Sequence, residues 1–471
     1  MSVNHNKVTR TIWCGHPRRR EYTSLVQTNE LNAEIPVLVH ALILVQETDR
    51  TVRAKTKNKD VFSAPFWGLV LLTTIIGCSD SPINSHDIDI QLIQTDAKPG
   101  SSAPHLATNV EGPMVLSWLE PNGTTTELRY STFNGDKWAP SSLVTKGSSW
   151  FVNWADFPSD VPISKNLWAA HWLVRQPVGG FAYDVEISRS NDGGITWSDA
   201  EKPHRDGTPT EHGFASLVSY NNKVLAVWLD GREMRGGHHG SSDKDAGGMT
   251  LRSAIAAKGE SFQASELVDD LVCDCCQTDV AIADSGPILV YRDRSSDEIR
   301  DIYISRLLEG HWEKGRSIFQ DNWRIGGCPV NGPAIAAHKG TVIVAWYSEA
   351  NSAPRVLMAR SDNDGASFNT PVTIDAERPI GRVDIDVLEN GDAVVSWIGK
   401  NDADGGLLLW RTVSRTGSLG PLQQITNIST RRNSGFPQMS RIGDRLLFAW
   451  TDVSEARPII RTARVVIPAG N

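Results

Sequence analysis

The chain has 471 residues, of which 40% are hydrophobic and 22% charged, a balance that excludes a disordered or low-complexity protein and leaves room for a large core. Its formal net charge is −8, and the first 77 residues carry ten Lys/Arg against six Asp/Glu, so the remainder stands at −12. An acidic body argues against nucleic acid as a partner, because phosphates are bound by an excess of Lys and Arg.

In chain order the first feature is an address. Arg53, Lys55, Lys57 and Lys59 precede an apolar run from Phe66 to Gly77, which is too short to span a membrane and suits the apolar segment of a signal. It closes in Ile75-Ile76-Gly77-Cys78, followed by Ser79-Asp80-Ser81-Pro82. This resembles a bacterial lipoprotein signal. The resemblance implies lipidation of Cys78 and an exported protein anchored to the periplasmic or cell-surface side of a membrane by lipid alone. Signals of this kind start near the chain start, so residues 1 to about 50 are expected to be an over-extended reading frame with the true start near Val52. The run from Ile35 to Val45 is too short to span and receives no role. Residues 1–77 are thus read as N-terminus plus signal, 78–100 as a linker holding a closing strand, and 101–471 as the folded domain.

Within that domain a short apolar strand ends seven times in an aromatic residue: Trp118, Trp172, Trp228, Tyr291, Trp346, Trp397 and Trp450. The steps between them are 54, 56, 63, 55, 51 and 53 residues. Self-similarity at this period marks units that cannot bury their apolar faces alone. Each unit opens with a small-residue, Pro-rich segment, as in Ala103-Pro104-His105 or Phe436-Pro437-Gln438. A Gly or Asn turn follows, then the aromatic-tipped strand, then third strands such as Glu127 to Ser131 and Val356 to Arg360, and fourth strands such as Trp138 to Leu143 and Trp312 to Phe319. Four antiparallel strands per unit make a propeller blade, so the fold class is all-β, a seven-bladed β-propeller. Six blades is the alternative, because the repeat at 150–208 is irregular. The last repeat has only Ile459 to Val466 after Trp450, and the alternating segment Ile88 to Gln94 is expected to complete it. Pairing of N- and C-terminal strands would close the ring and remove an exposed edge.

Ser190-Asn191-Asp192-Gly193-Gly194-Ile195-Thr196-Trp197 fits the pattern S-x-D-x-G-x-T-W, and Ser361 to Phe368 fits it with Asn363, Ser367 and Phe368 as substitutes. Such a segment makes a tight hairpin: Asp or Asn accepts turn N–H groups, Gly takes positive φ, and the aromatic folds back beneath. Two of these Asp boxes in phase with the repeat resemble the bacterial neuraminidase repeat of the sialidase superfamily, over roughly residues 100 to 467. The resemblance implies a propeller, with three arginines holding a substrate carboxylate, a Tyr nucleophile assisted by a Glu, and an Asp as acid/base. The family's first arginine sits in an Arg-Ile-Pro-like segment before the first box. Residues 100 to 188 contain only Arg129 and Arg175. That motif is missing, which leaves glycoside hydrolase activity of the exo-sialidase kind open.

The opening segments of the repeats converge on a propeller's channel mouth, and here they carry Asn153, Asp156, Glu211, His212, Gln277, Asp279, Asn331, Arg382, Asp384, Arg432 and Asn433. Polar and ionisable groups gathered where apolar packing is expected suggest a site. Asp156, Glu211 and His212 are the candidate acid/base groups; adjacent strand residues point to opposite faces, so only one of Glu211 and His212 faces the channel. Asn153, Arg292, Asn331, Arg382 and Arg432 are the candidate substrate-holding groups. Cys273, Cys275, Cys276 and Cys328 open two adjacent repeats and read as two disulfides, as a zinc or copper site completed by His212, or as redox-active thiols. His238 and His239 fall in a Gly-rich loop read as an exposed tip. The leading reading is a monomeric, exported lipoprotein that takes a glycan or other small molecule at the channel mouth. The alternatives are a cysteine-dependent metal or redox propeller and a non-catalytic interaction platform.

Overall fold

A strand such as Thr341–Ser348, in which all eight residues are buried, has to be covered on both faces, and sheets stacked face to face around an axis supply that cover. The computed structural model describes residues 89–108, 113–234 and 247–467, all within the compact unit Ile83–Asn471. The signal segment, Cys78 and the His238-His239 pair lie outside the described residues. Seven antiparallel sheets follow one another along the chain. Blades I to VI cover residues 102–147, 159–190, 212–272, 279–317, 334–375 and 379–428, and blade VII covers 438–466 together with Ile90–Ile93. The count of seven holds, and the irregular repeat is a blade of three strands, with an Ile187–Glu201 bridge where the fourth would run.

The expected ring closure forms. Ile90–Ile93 pairs antiparallel with Ile459–Val466, Ile90 opposite Val465 and Leu92 opposite Ala463. Thr462 fastens the seam: its Oγ1 donates to the Ile93 carbonyl at 2.7 Å and accepts the Trp138 indole N–H at 2.9 Å. Two expected fourth strands differ in extent. In blade I the strand is Ser142–Gly147, because Trp138 turns inward beneath Phe133. In blade IV it is broken into His311–Trp312 and Arg316–Ser317.

All seven aromatic tips are buried, and a buried N–H or O–H requires an acceptor. Trp228 donates to Asp230, Tyr291 to Asp269, Trp346 to Asp321 and Trp397 to Asp375, at 2.6 to 2.8 Å. The two turns expected from S-x-D-x-G-x-T-W also form. Ser190 Oγ accepts the Gly194 N–H and Asp192 Oδ1 the Thr196 N–H, both at 2.8 Å, with Gly193 and Gly194 at positive φ. Ser361, Asn363, Gly365 and Ser367 repeat the pattern.

The innermost strands face an axis where no further strand pairs with them. Carboxylates from the preceding blade accept their free N–H groups instead: Asp156 takes Phe214 (2.8 Å), Asp279 takes Ile335 (2.8 Å), and Asp384 and Asp386 take Met439 (2.6 Å) and Arg441 (2.9 Å). Thr462→Val, which keeps the shape but removes both hydrogen bonds of the closing seam, is expected to destabilise the protein by about 1–3 kcal/mol in urea unfolding. A variant of unchanged stability would mean that this seam does not hold the ring.

Candidate functional site

The channel holds a cavity of about 180 Å³ walled by residues of all seven blades, among them His105, Asp156, Phe214, Asp279, Asp384 and Phe436. Burial pushes the carboxyls of Asp156 and Asp384 up to about 8 and that of Asp279 up to about 6. Each is an acceptor of backbone N–H groups, which opposes the rise without cancelling it.

At one side of this channel, Asp156, Tyr183 and Glu211 meet. The Tyr183 hydroxyl lies 2.6 Å from Glu211 Oε1 and 2.9 Å from Asp156 Oδ2. A hydroxyl has one proton and can donate to only one of them. The second contact therefore needs a protonated carboxyl, and Asp156 is the one whose burial holds its proton. Tyr183 is itself fully buried, stacked on Phe151 at 4.1 Å, and burial first, then its acidic neighbours Asp156 and Glu211, keep it protonated. Only Gly fits at 213, where a Cβ would stand 2.1 Å from Asp156 Oδ2. Asn153 shapes the approach by capping the Ala155 N–H through Oδ1 at 2.8 Å. Beside it the half-buried Trp154 ring stacks on Phe436 at 5.8 Å, and the guanidiniums of Arg382 and of exposed Arg432 sit 5.0 and 5.8 Å from its centroid.

Arg292, Asn331 and Arg382 are knitted to one another and to backbone oxygens. Arg292 donates through Nε and Nη2 to the Asn331 carbonyl (3.0 and 2.8 Å), and through its Nη groups to the carbonyls of Arg300 and Tyr347. Asn331 Oδ1 accepts the Arg382 N–H at 2.7 Å. Arg382 spends its own guanidinium on Ser434 Oγ and the Arg431 and Gly435 carbonyls. Both arginines are buried and committed to backbone oxygens. The three arginines read as anion-holding thus divide into two braces between blades and one exposed group, Arg432.

Glu211 and His212 part as strand alternation requires. His212 turns to a second cluster with Asp184, His204, Asp206 and Asp230. The cysteines form a third group, which His212 does not join: among the described residues the two sets are separate. Cys275 is disulfide-bonded to Cys328, fastening the entry of blade IV to that of blade V. Cys273 and Cys276 are buried thiols with sulfurs 3.0 Å apart, and Arg300 Nη1 lies 3.3 Å from Cys273 Sγ. Burial opposes ionisation of Cys273, but the Cys276 hydrogen bond and the Arg300 guanidinium outweigh it and lower its pKa.

Sequence reasoning passed over Tyr183, Asp184, Arg300 and Trp154. Tyr183-Asp184 opens a third strand (Tyr183–Ser190), a position that reads as an outer, structural one. Only the irregularity of blade II, which brings this strand's start beside Glu211 in an isolated bridge, carries Tyr183 to Glu211 and Asp156.

Asp156 holds its proton to about pH 8 when folded but loses it near pH 4 when unfolded. Between those values the native state binds more protons, so stability falls as pH rises. The thermal midpoint is expected to drop by several degrees from pH 5 to pH 8, and by less in Asp156→Asn. An equal drop in both would show that Asp156 does not retain its proton.

No protein-family model matches the chain, and no curated protein is similar to it. Solved structures are. A Dyadobacter fermentans protein of unknown function aligns over 80% of this chain and 98% of its own, with TM-score 0.45 and 13% identity. Trypanosoma rangeli sialidase in complex with the inhibitor DANA aligns over 70% of this chain and 56% of its own, so the chain spans little more than half of it (TM-score 0.43, 13% identity). The GH93 α-L-arabinofuranosidase of Fusarium graminearum, in complex with arabinobiose, aligns over 80% and 97% (TM-score 0.45, 13% identity). The chain is a seven-bladed β-propeller, with sialidase and arabinofuranosidase propellers among its structural neighbours.

Proposed function

We propose that the protein is a carbohydrate-active or glycan-binding propeller whose ligand docks at the channel mouth, with Trp154 as the stacking surface and Arg432 as the exposed cation. The observation that carries this reading is the Tyr183 hydroxyl held 2.6 Å from Glu211 Oε1 and 2.9 Å from Asp156 Oδ2, with burial pushing the Asp156 carboxyl up to about 8. A carboxylic acid that keeps its proton at neutral pH is a general acid, and a Tyr hydroxyl against a carboxylate is the pair that the sialidase resemblance implies for a nucleophile. A sugar ring offers an apolar face to an aromatic platform and hydroxyls to polar rims, the roles this reading gives to Trp154 and Arg432. Export and lipid anchoring at Cys78 belong to the same reading, since polymeric glycans are met outside the cell.

Binding of oligosaccharides by isothermal titration, beside release of aryl leaving groups from chromogenic glycosides, tests it. Trp154→Ala is expected to weaken binding about tenfold. Asp156→Asn and Tyr183→Phe are expected to reduce turnover by roughly 10²–10⁴-fold with little change in KM. Absence of glycan binding by the unaltered protein, or binding indifferent to Trp154, would overturn the proposal.

A cysteine-dependent role is the second reading, favoured by the Cys273–Cys276 spacing and the Arg300 contact. A lowered thiol pKa beside a second thiol within bonding reach is the arrangement of a reversible dithiol. Thiol titration of the denatured body of the protein is expected to count two reactive groups from this pair before reduction, and two more, from Cys275 and Cys328, afterwards. Four before reduction would exclude the Cys275–Cys328 bridge, and none would show the pair already oxidised.

A further inference from the structure

Four sulfurs gather where blades IV and V begin, and they fall into two pairs of different depth. Cys273 and Cys276 are 1% and 2% exposed, with sulfurs 3.0 Å apart. They stand three residues apart in Cys273-Asp274-Cys275-Cys276, the C-x-x-C spacing of dithiols that cycle between thiol and disulfide. Cys275 and Cys328 are bonded to each other and only half-buried. The sulfurs of Cys273, Cys275 and Cys276 all lie within 4.8 Å of one another, so the buried thiols stand beside the bridge. Exchange needs a thiolate next to a disulfide sulfur and a second thiol to resolve the mixed disulfide that forms. Arg300 Nη1, 3.3 Å from Cys273 Sγ, sets a cation against that sulfur and marks it as the attacking one. Asp274, the anion between the cysteines, is paired with Arg294 at 3.2 Å.

We propose that the four cysteines form a relay in which the buried dithiol passes two electrons to the Cys275–Cys328 bridge, and the two thiols so released reduce a disulfide of an outside partner. In the first step Cys273 gives up its proton and its thiolate bonds to Cys275 Sγ. The Cys275–Cys328 bond breaks, and its electron pair goes to Cys328, which takes a proton. In the second step Cys276 gives up its proton and bonds to Cys273 Sγ, and Cys275 leaves with the electron pair of the Cys273–Cys275 bond and takes a proton. Cys276 resolves onto Cys273 rather than onto its neighbour Cys275, because adjacent cysteines do not easily meet the geometry of a disulfide. One disulfide and two thiols enter and leave, so the exchange is balanced within the chain. The outside disulfide then takes two electrons from Cys275 and Cys328, is cleaved to two thiols, and restores their bridge. The half-buried pair is thus the contact with solvent, and the buried pair the store behind it. The relay rests on the reading of Cys273 and Cys276 as a reversible dithiol and is independent of the glycan reading.

The test adds N-ethylmaleimide to folded full-length protein without reductant, and tandem mass spectrometry of its peptides reads adducts and bridges. A thiol count on acid-denatured protein fixes the starting state. Two thiols among the four cysteines keep the dithiol reading; none or four overturn it and the relay with it. From the two-thiol state the expected outcome is adducts on Cys275 and Cys328 with a Cys273–Cys276 bridge, since alkylation withdraws the released pair. Adducts on Cys273 and Cys276 with the Cys275–Cys328 bridge intact overturn the relay and spare the dithiol reading. So do adducts on Cys276 and Cys328, which stop at the mixed disulfide, and so does the absence of any adduct on the four. Cys273→Ser is expected to lose Cys328 labelling, and labelling that persists in the folded variant overturns the assignment of the attacking thiol. Should that variant not fold, the map of the unaltered protein decides. Hydroxyethyl disulfide in place of the maleimide is expected to leave both bridges formed; a Cys273–Cys276 pair still reduced overturns the outward step.

Discussion

Every blade of this ring has an inner strand with one side unpaired, and the way those backbone groups are satisfied governs the rest of the molecule. Strands converging on an axis diverge too much from their neighbours to hydrogen-bond as a sheet, yet buried N–H groups left without acceptors are costly. Short carboxylates solve this. Asp156, Asp279, Asp384 and Asp386 each accept an N–H from the inner strand of the next blade. The links between blades II and III, IV and V, and VI and VII are therefore charged or protonated groups set along the channel.

That solution has a chemical consequence. Carboxyls kept for structure lie in a desolvated channel, and desolvation raises their affinity for protons. One of them, Asp156, has Tyr183 and Glu211 within hydrogen-bonding distance. The same carboxyl that braces Phe214 then shares a proton network with a phenol. Structure and candidate chemistry use one group through its two oxygens, Oδ1 for the backbone and Oδ2 for the hydroxyl.

Blade II is where the ring departs from its own rule. With three strands rather than four, it leaves residues 199–211 to cover its outer side, and these bring His204 and Asp206 against the start of blade III. The Tyr183 network and the His204–His212 pair lie on either side of the same short stretch, Glu211-His212. Alternation along an extended chain sends the two side chains to opposite faces, so adjacent residues serve separate clusters. Buried arginines show the reverse effect. Arg292 and Arg382, far apart in number, are joined through Asn331 and hold blade entries together.

Period, strand pattern and turn residues were enough to determine the repeat, the seven blades and the pairing of the chain's two ends, because each rests on local alternation and on the burial of one aromatic per unit. That Asp156 and Glu211 lie close in space was legible for the same reason, since entry segments of a ring approach one another. Partnership was not. Whether Arg292 faces a ligand or the Asn331 carbonyl, and whether His212 joins cysteines or His204, depends on which way a side chain turns in a packed interior. Tyr183 and Asp184 had no local mark at all, because a missing fourth strand in one blade, rather than any motif, brings them to their clusters. Sequence alone determined the ring, since its forces are local and repeated; tertiary structure decided the contacts within it, since these arise where the repeat is broken.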